Sequence, residues 1–200
     1  QKDAAAAVKA VSSDTVPVQV KSVSGTEEET TVTQVDEPSE KSVLIAYFSC
    51  TGTTKKAAEY AADLLGADLY EIKAAEPYTE EDLNYRDSTS RTSLEQKDAS
   101  VRPAISTGGF MGQNTSGSAD LSLSEYDVIF LGYPIWNGQA PRIINTFLES
   151  YDLSGKAVVP FCTSASSGIG LSAENLKGSC SESTVWYDGI RFGSAVSRSE

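Results

Sequence analysis

The sequence contains no histidine, only three cysteines and one methionine, and no apolar run long enough to cross a bilayer. Without histidine, the chain can build neither a Ser–His–Asp triad nor a Cys–His pair, and it offers no histidine ligand to a metal. The cysteines form no CxxC pair. These absences exclude histidine-based catalysis, histidine metal sites and an integral membrane segment.

Basic side chains are also few, with 16 Lys and Arg against 28 Asp and Glu, which gives a net charge of −12. Such a balance disfavours nucleic acid or an anionic membrane surface as a partner. An acidic surface suits docking onto basic redox partner proteins or simple solubility, and composition does not separate the two. The hydrophobic content of 40% over 200 residues is enough for one sizeable core.

Residues 1–41 differ from the remainder because they are rich in Ala, Ser, Thr, Val and acid and contain no aromatic side chain. We expect them to form a disordered or linker segment before a folded domain over residues 42–200. No signal peptide is visible, but a chain that begins with Gln1 is compatible with a removed export signal. A long polar spacer suits an exported protein tethered to a membrane, and a cytoplasmic location is the alternative.

The most informative stretch covers residues 43–65, VLIAYFSCTGTTKKAAEYAADLL. It predicts a buried strand, then a turn of small and hydroxyl-bearing residues, then a helix from residue 55 to 65 whose apolar stripe includes Ala57, Ala58 and Leu64. The first N–H groups of a helix have no backbone partner and attract an anion. The turn lacks the GxxxxGK[ST] and GxGxxG patterns, so a single phosphate is favoured over a nucleotide. A threonine-rich cap that binds nothing is the alternative.

The remaining chain alternates predicted strands and helices. Strands are predicted at residues 68–74, 127–133 and 156–162 and within 183–192. Helices are predicted at 141–149, at 172–177 and, shorter, within 76–87, and a Gly/Ser-rich loop at 107–121. This alternation favours an open, mostly parallel α/β sheet with right-handed crossovers. The loops SCTGTT, PIWNGQAP and TSASSGIG each follow a strand and should gather at the carboxyl edge of the sheet, where such folds bind ligands.

Three motifs, FSCTGTTKKAAEYAADLLGADLYEI, DVIFLGYPIWNGQAPRIINTFLESYDLSGK and PFCTSASSGIG, resemble the flavodoxin family in its small bacterial branch. The resemblance covers the chain from about Val43 to the end. It implies a flavodoxin-like sheet of five parallel strands in the order 2-1-3-4-5, with helices on both faces, that binds FMN non-covalently. The three loops would then supply the cofactor-binding residues: Ser49, Cys50, Thr51, Gly52, Thr53 and Thr54 around the phosphate; Pro134, Ile135, Trp136, Asn137 and Gly138 over the isoalloxazine; and Thr163, Ser164, Ala165 and Gly168 along its pyrimidine edge.

The chemistry of these residues agrees with the resemblance. FMN carries a single phosphate, and its flat ring needs an aromatic platform such as Trp136. The Asn137–Gly138 peptide could rotate when flavin N5 gains a proton. Ordinary core packing for the indole and an ordinary turn for Asn-Gly are the alternatives.

Several positions depart from the family pattern. Asn137 stands where related sequences often carry a second aromatic residue. The chain also stops where a last helix would normally follow, so we expect one sheet face either to lie partly open or to be covered by another packing contact. Arg91 and Arg102 are candidates to reach the flavin site, with solvated surface charge as the alternative. The sequence leaves open whether Cys162 and Cys180 pair.

Three functions are compatible with this reading. The first is an FMN electron carrier between redox partner proteins, which the small size of the domain favours. The second is an FMN-dependent NAD(P)H or quinone-type reductase acting on small oxidants. The third is a binding domain that has kept the fold without flavin.

Overall fold

The computed structural model describes residues 42–106, 109 and 121–197. The predicted linker over residues 1–41 and most of the predicted loop at 107–121 lie outside the described residues. The strands are β1 Val43–Tyr47, β2 Asp68–Glu71, β3 Val128–Pro134, β4 Ala157–Thr163, β5 Val185–Trp186 and β6 Ile190–Phe192. The helices are α1 Thr53–Leu65, α2 Arg91–Lys97 and α3 Arg142–Ser150, with 3-10 turns at Leu123–Glu125 and Glu174–Ser179.

The strands form one sheet in the order β2-β1-β3-β4-β5, with parallel pairing throughout, which confirms the predicted fold class. In the register, Ile45 of β1 lies opposite Leu69 of β2 and Phe130 of β3. Each parallel connection therefore returns the chain to the same starting edge and leaves the loops after β1, β3 and β4 at the other.

The single last strand predicted within residues 183–192 is instead two short strands, β5 and β6, which both pair with β4. On the edge of β4 that faces β5 and β6, the carbonyl of Val158 accepts a hydrogen bond from Tyr187 N. Two residues later, Pro160 faces the same edge and has no N–H to donate, so the pairing is interrupted there. Gly189 passes close to this proline, since an added Cβ would lie 2.2 Å from Ile169 Cδ1 and 3.0 Å from Pro160 Cγ. The proline thus divides the strand.

Both faces of the sheet are covered, which explains the continuous apolar runs. Leu44 and Ile129 face a core cluster that α3 completes with Ile143, Ile144 and Phe147. The opposite face packs mainly against Ala57 and Ala58 of α1. Its strands contribute the other buried side chains of this second cluster: Ile45, Tyr47, Phe130, Val159 and Phe161. One member of the predicted stripe on α1 is wrong, because Leu64 is 81% exposed.

The helix predicted within residues 76–87 is wrong, because that segment forms turns. Thr79 and Asp82 cap each other reciprocally, with Thr79 N donating to Asp82 Oδ2 and Asp82 N to Thr79 Oγ1. The side chains of Asn84 and Asp87 then accept hydrogen bonds from nearby backbone N–H groups, which competes with a helix. The true helix, α2, begins after this point and was not predicted.

The helix predicted at 172–177 is instead the 3-10 turn Glu174–Ser179. Of the two alternatives for the sheet face, the described residues favour coverage, because Ala157, Val159 and Phe161 are buried in a cluster that also contains Val196. Among the helices within the described part of the chain, none has the length and apolarity needed to span a membrane.

Candidate functional site

The loop after β1 leads into α1 through Gly52, whose φ of 85° lies in the left-handed region that glycine tolerates best. Gly52 N donates to Ser49 Oγ at 3.1 Å, which holds the loop in a tight turn. No side chain caps the start of α1. Because the first turn of a helix carries unpaired N–H groups and partial positive charge, this end of α1 suits a phosphate.

Thr54 connects this first loop to the third. Its hydroxyl lies 2.7 Å from the hydroxyl of Thr163, and both side chains are almost completely buried. Thr163 O also accepts a hydrogen bond from Ile135 N at 3.0 Å, in the loop after β3. Thr163 therefore ties together all three loops that the sequence singled out, and the predicted convergence at the carboxyl edge is present.

The second loop closes in a two-residue turn. Trp136 N donates to Gln139 O, and Gln139 N donates back to Trp136 O, each at 2.9 Å. Asn137 and Gly138 between them have φ of 48° and 77°, the pattern of a type I′ turn that favours Asn-Gly. Both turn residues are exposed, while Pro134, Ile135 and Trp136 are half-buried.

Trp136 is held on edge by two other aromatic rings. Its ring centroid lies 5.6 Å from that of Phe48 and 5.3 Å from that of Tyr78, with interplanar angles of 80° and 73°. Phe48 and Tyr78 in turn contact each other at 5.8 Å. Such T-shaped contacts fix the plane of an indole more firmly than area burial alone.

Tyr78 belongs to a polar network that the sequence analysis missed. Its hydroxyl donates to Glu95 Oε2 at 2.8 Å, and the guanidinium of Arg91 lies 4.0 Å from the centroid of its ring. Arg91 Nε donates to Glu95 Oε1, also at 2.8 Å. Burial, reinforced by the hydrogen bond to Glu95, raises the pKa of Tyr78 far above its ordinary value. The i,i+4 spacing of Arg91 and Glu95 was the one signal of this pair in the sequence.

The two arginines singled out from the sequence have different surroundings. Arg91 is drawn into the Tyr78 network. Arg102 forms a bidentate ion pair with Glu149, at 2.7 and 2.8 Å, and remains at the surface. This pairing favours the interpretation of Arg102 as surface charge.

The third loop is held by its own hydroxyl and by an arginine that the sequence analysis did not single out. Ser167 N donates to Ser164 Oγ at 3.0 Å. Arg191, on β6, donates from one nitrogen to the carbonyl oxygens of Ser164 and Ala165, at 3.0 and 2.9 Å. Ala165 and Gly168 are exposed. No sequence pattern linked Arg191 to this loop, because the contact depends on the pairing of β6 with β4.

The cysteines are free thiols, which answers the question left open for Cys162 and Cys180. Burial raises the pKa of Cys50 to about 12, against an opposing effect of Arg91. Burial likewise raises the pKa of Cys162 and of Cys180 to about 11. Cys50 packs against the same core cluster as Trp136, in keeping with a space-filling role. Among the described residues no cluster of side chains could hold a metal ion.

An open parallel α/β sheet with a hydroxyl-rich turn at its first helix and two further loops at the same edge defines the doubly wound class of ligand-binding proteins. A family model described as flavodoxin matches residues 42–200, and the chain therefore belongs to the flavodoxin family.

Solved structures agree with this assignment. A candidate flavoprotein from Bacteroides eggerthii DSM 20697 is 44% identical, with a TM-score of 0.67 over 79% of this chain and 91% of that one. A candidate flavoprotein from Bacteroides uniformis ATCC 8492 is 42% identical, with a TM-score of 0.69 over 80% and 94%.

A more distant structure, the flavoprotein of Lactobacillus acidophilus NCFM in complex with FMN, is 22% identical, with a TM-score of 0.54 over 76% of this chain and 93% of that one. At this identity the likeness shows the fold alone. No curated protein sequence matches the chain significantly.

Proposed function

We propose that this protein binds FMN non-covalently at the three loops and carries electrons between redox partners. The observation that carries the proposal is the uncapped start of α1, where a left-handed glycine and a hydroxyl-rich turn leave backbone N–H groups open to one phosphate. The FMN complex of the Lactobacillus acidophilus protein, which shares the fold, supports the same choice of cofactor.

The residues present fit FMN. Ser49, Thr51 and Thr53 offer hydroxyl groups beside the first turn of α1, whereas the buried hydroxyl of Thr54 is bonded to Thr163 and joins the loops. Trp136 offers an indole for the isoalloxazine, and the backbone of the Thr163–Gly168 loop offers polar groups to the pyrimidine edge. When bound, FMN would supply the capacity to accept and release one or two electrons with protons.

The carrier role is favoured over the reductase by charge. The net charge of −12 suits a basic protein partner. Negligible oxidation of NADH by the FMN-loaded protein is the expected result, and steady NADH turnover with a quinone would favour the reductase instead.

The phosphate assignment is tested by comparing FMN with riboflavin. Thr51→Ala/Thr53→Ala should weaken FMN about tenfold or more and riboflavin much less, because only FMN carries the phosphate. The matched control is Thr146→Ala/Ser150→Ala, which removes two hydroxyls that bond to the backbone of α3. Titrations followed by flavin fluorescence give both dissociation constants. Equal losses for the two flavins would contradict the assignment.

A further inference from the structure

The segment that precedes and forms α2 contributes no residue to the three loops, yet it reaches the aromatic side of the site. We propose that Tyr78, Arg91 and Glu95 are positioning residues that fix the plane of Trp136. The effect of this network on the cofactor rests on the proposed binding of FMN; its effect on Trp136 does not.

The contact chain is continuous from the indole to a carboxylate. Tyr78 meets Trp136 edge to face, at 5.3 Å between ring centroids. The tyrosine is fixed from two directions, by its hydroxyl bond to Glu95 and by the guanidinium of Arg91 over its ring. Glu95 is only 8% exposed, and its two oxygens accept from Tyr78 and Arg91. A buried carboxylate with both oxygens bonded has little freedom to move.

The other end of the network is anchored beside the loop that carries Trp136. Arg142, at the start of α3, donates to the carbonyl oxygens of Glu95 and Gln96, at 3.3 and 3.1 Å. The Gln96 amide donates to Ala140 O at 3.3 Å. The contacts therefore close a ring that runs from Trp136 through Tyr78 and Glu95 to residues 140–142, only a few positions after the indole.

A second ion pair, between Arg102 and Glu149 of α3, differs from the pair within α2. Arg102 and Glu149 are bonded as closely, but their side chains are 33% and 39% exposed. Their other bonds join Arg102 to two backbone carbonyls and Glu149 to the hydroxyl of Ser179. That pair links two elements at the surface. It therefore provides a matched control in which an ion pair is lost away from the aromatic cluster.

The first test needs no flavin. Because the chain contains two tryptophans, Trp186→Phe leaves Trp136 as the single indole reporter. In that background we expect Tyr78→Leu to reduce the near-ultraviolet circular dichroism of Trp136 by about half and to lower its fluorescence anisotropy, because the edge contact is lost. Tyr78→Phe and Glu95→Gln should produce the same change to a smaller extent. Arg102→Met should leave both signals unchanged.

The second test asks whether Tyr78 acts through Trp136. Tyr78→Leu should weaken FMN and riboflavin equally, about threefold to tenfold, because it disturbs the ring platform and not the phosphate site. In a Trp136→Ala background the same substitution should have no further effect on either dissociation constant. If the role of Tyr78 were merely structural, Tyr78→Leu would weaken flavin binding in both backgrounds.

The outcomes separate this inference from the proposed function. A wild-type protein that binds no flavin would refute the FMN proposal, while the spectra of the flavin-free protein would still decide the role of Tyr78. Unchanged Trp136 spectra in folded Tyr78→Leu or Tyr78→Phe protein would overturn the inference, and so would an equal loss of affinity with and without Trp136.

Discussion

The buried hydroxyl pair of Thr54 and Thr163 should couple the stability of the first and third loops. Thr54→Val keeps the shape of the side chain but leaves the Thr163 hydroxyl without its partner. The reverse holds for Thr163→Val. The two hydroxyls lie 2.7 Å apart, and the side chains are 1% and 4% exposed, so water cannot readily replace the lost partner.

The magnitude follows from this burial. A buried polar group left without a partner costs about 1–3 kcal/mol, whereas replacing both partners by apolar groups of the same shape is nearly neutral. Each single substitution should therefore lower the free energy of unfolding by about 1–3 kcal/mol, or the melting temperature by about 2–4 °C per kcal/mol in a domain of this size. The double variant should be destabilised by less than the sum of the two.

Urea unfolding of the flavin-free protein, followed by far-ultraviolet circular dichroism, gives the four free energies of this cycle. Thr184→Val is the control for the loss of one buried threonine hydroxyl. The hydroxyl of Thr184 donates to the backbone carbonyl of Leu153, a partner that no side-chain substitution can remove. Strictly additive effects of Thr54→Val and Thr163→Val would refute the coupling and remove the main link between these loops.

Two further predictions concern the second loop and the surface. Gly138→Ala should destabilise the protein by about 1–2 kcal/mol, because φ at this position is 77°. The control Gly178→Ala should be nearly neutral, because Gly178 has no positive φ and an added Cβ there meets no close contact. Equal urea midpoints for the two variants would contradict this account. The hydrogen bond from Arg102 lowers the pKa of Glu149 in the folded protein below its ordinary value of 4.5. The stability that Glu149 contributes should therefore be fully present above pH 4.5 and lost as the pH falls through the lower pKa of the folded state. Because the carboxylate is 39% exposed, the difference from Glu149→Gln should be only about 0–1 kcal/mol, measured between pH 3 and 7, and a difference that grows at lower pH would contradict the sign.

The sequence predicted the sheet order and the three loops because each depends on local pattern or on family resemblance. The apolar runs before Ser49, Pro134 and Ser164 have no polar alternation, which indicates strands covered on both faces, and all three are central in the sheet. The loops then follow at the carboxyl edge for topological reasons alone.

The features that were missed depend on contacts between distant parts of the chain. The division of the last strand results from Pro160 in a neighbouring strand, and the hold of Arg191 on the third loop follows from that division. Likewise α2 is short and polar, and its burial depends on Tyr78 and Arg142. Periodicity carries no information about such pairings.

The composition of the first loop decides how an anion could be held there. Residues 49–54 contain no basic side chain, and the chain as a whole carries a net charge of −12. A phosphate at this position would therefore meet hydroxyl groups, backbone N–H groups and the helix dipole in the absence of a salt bridge from the loop itself. Such donors act over a short range and depend on geometry, whereas a lysine would attract the anion from many directions. The fixed shape of the loop, secured by Gly52 and by the bond between Thr54 and Thr163, is accordingly the property on which phosphate binding would depend.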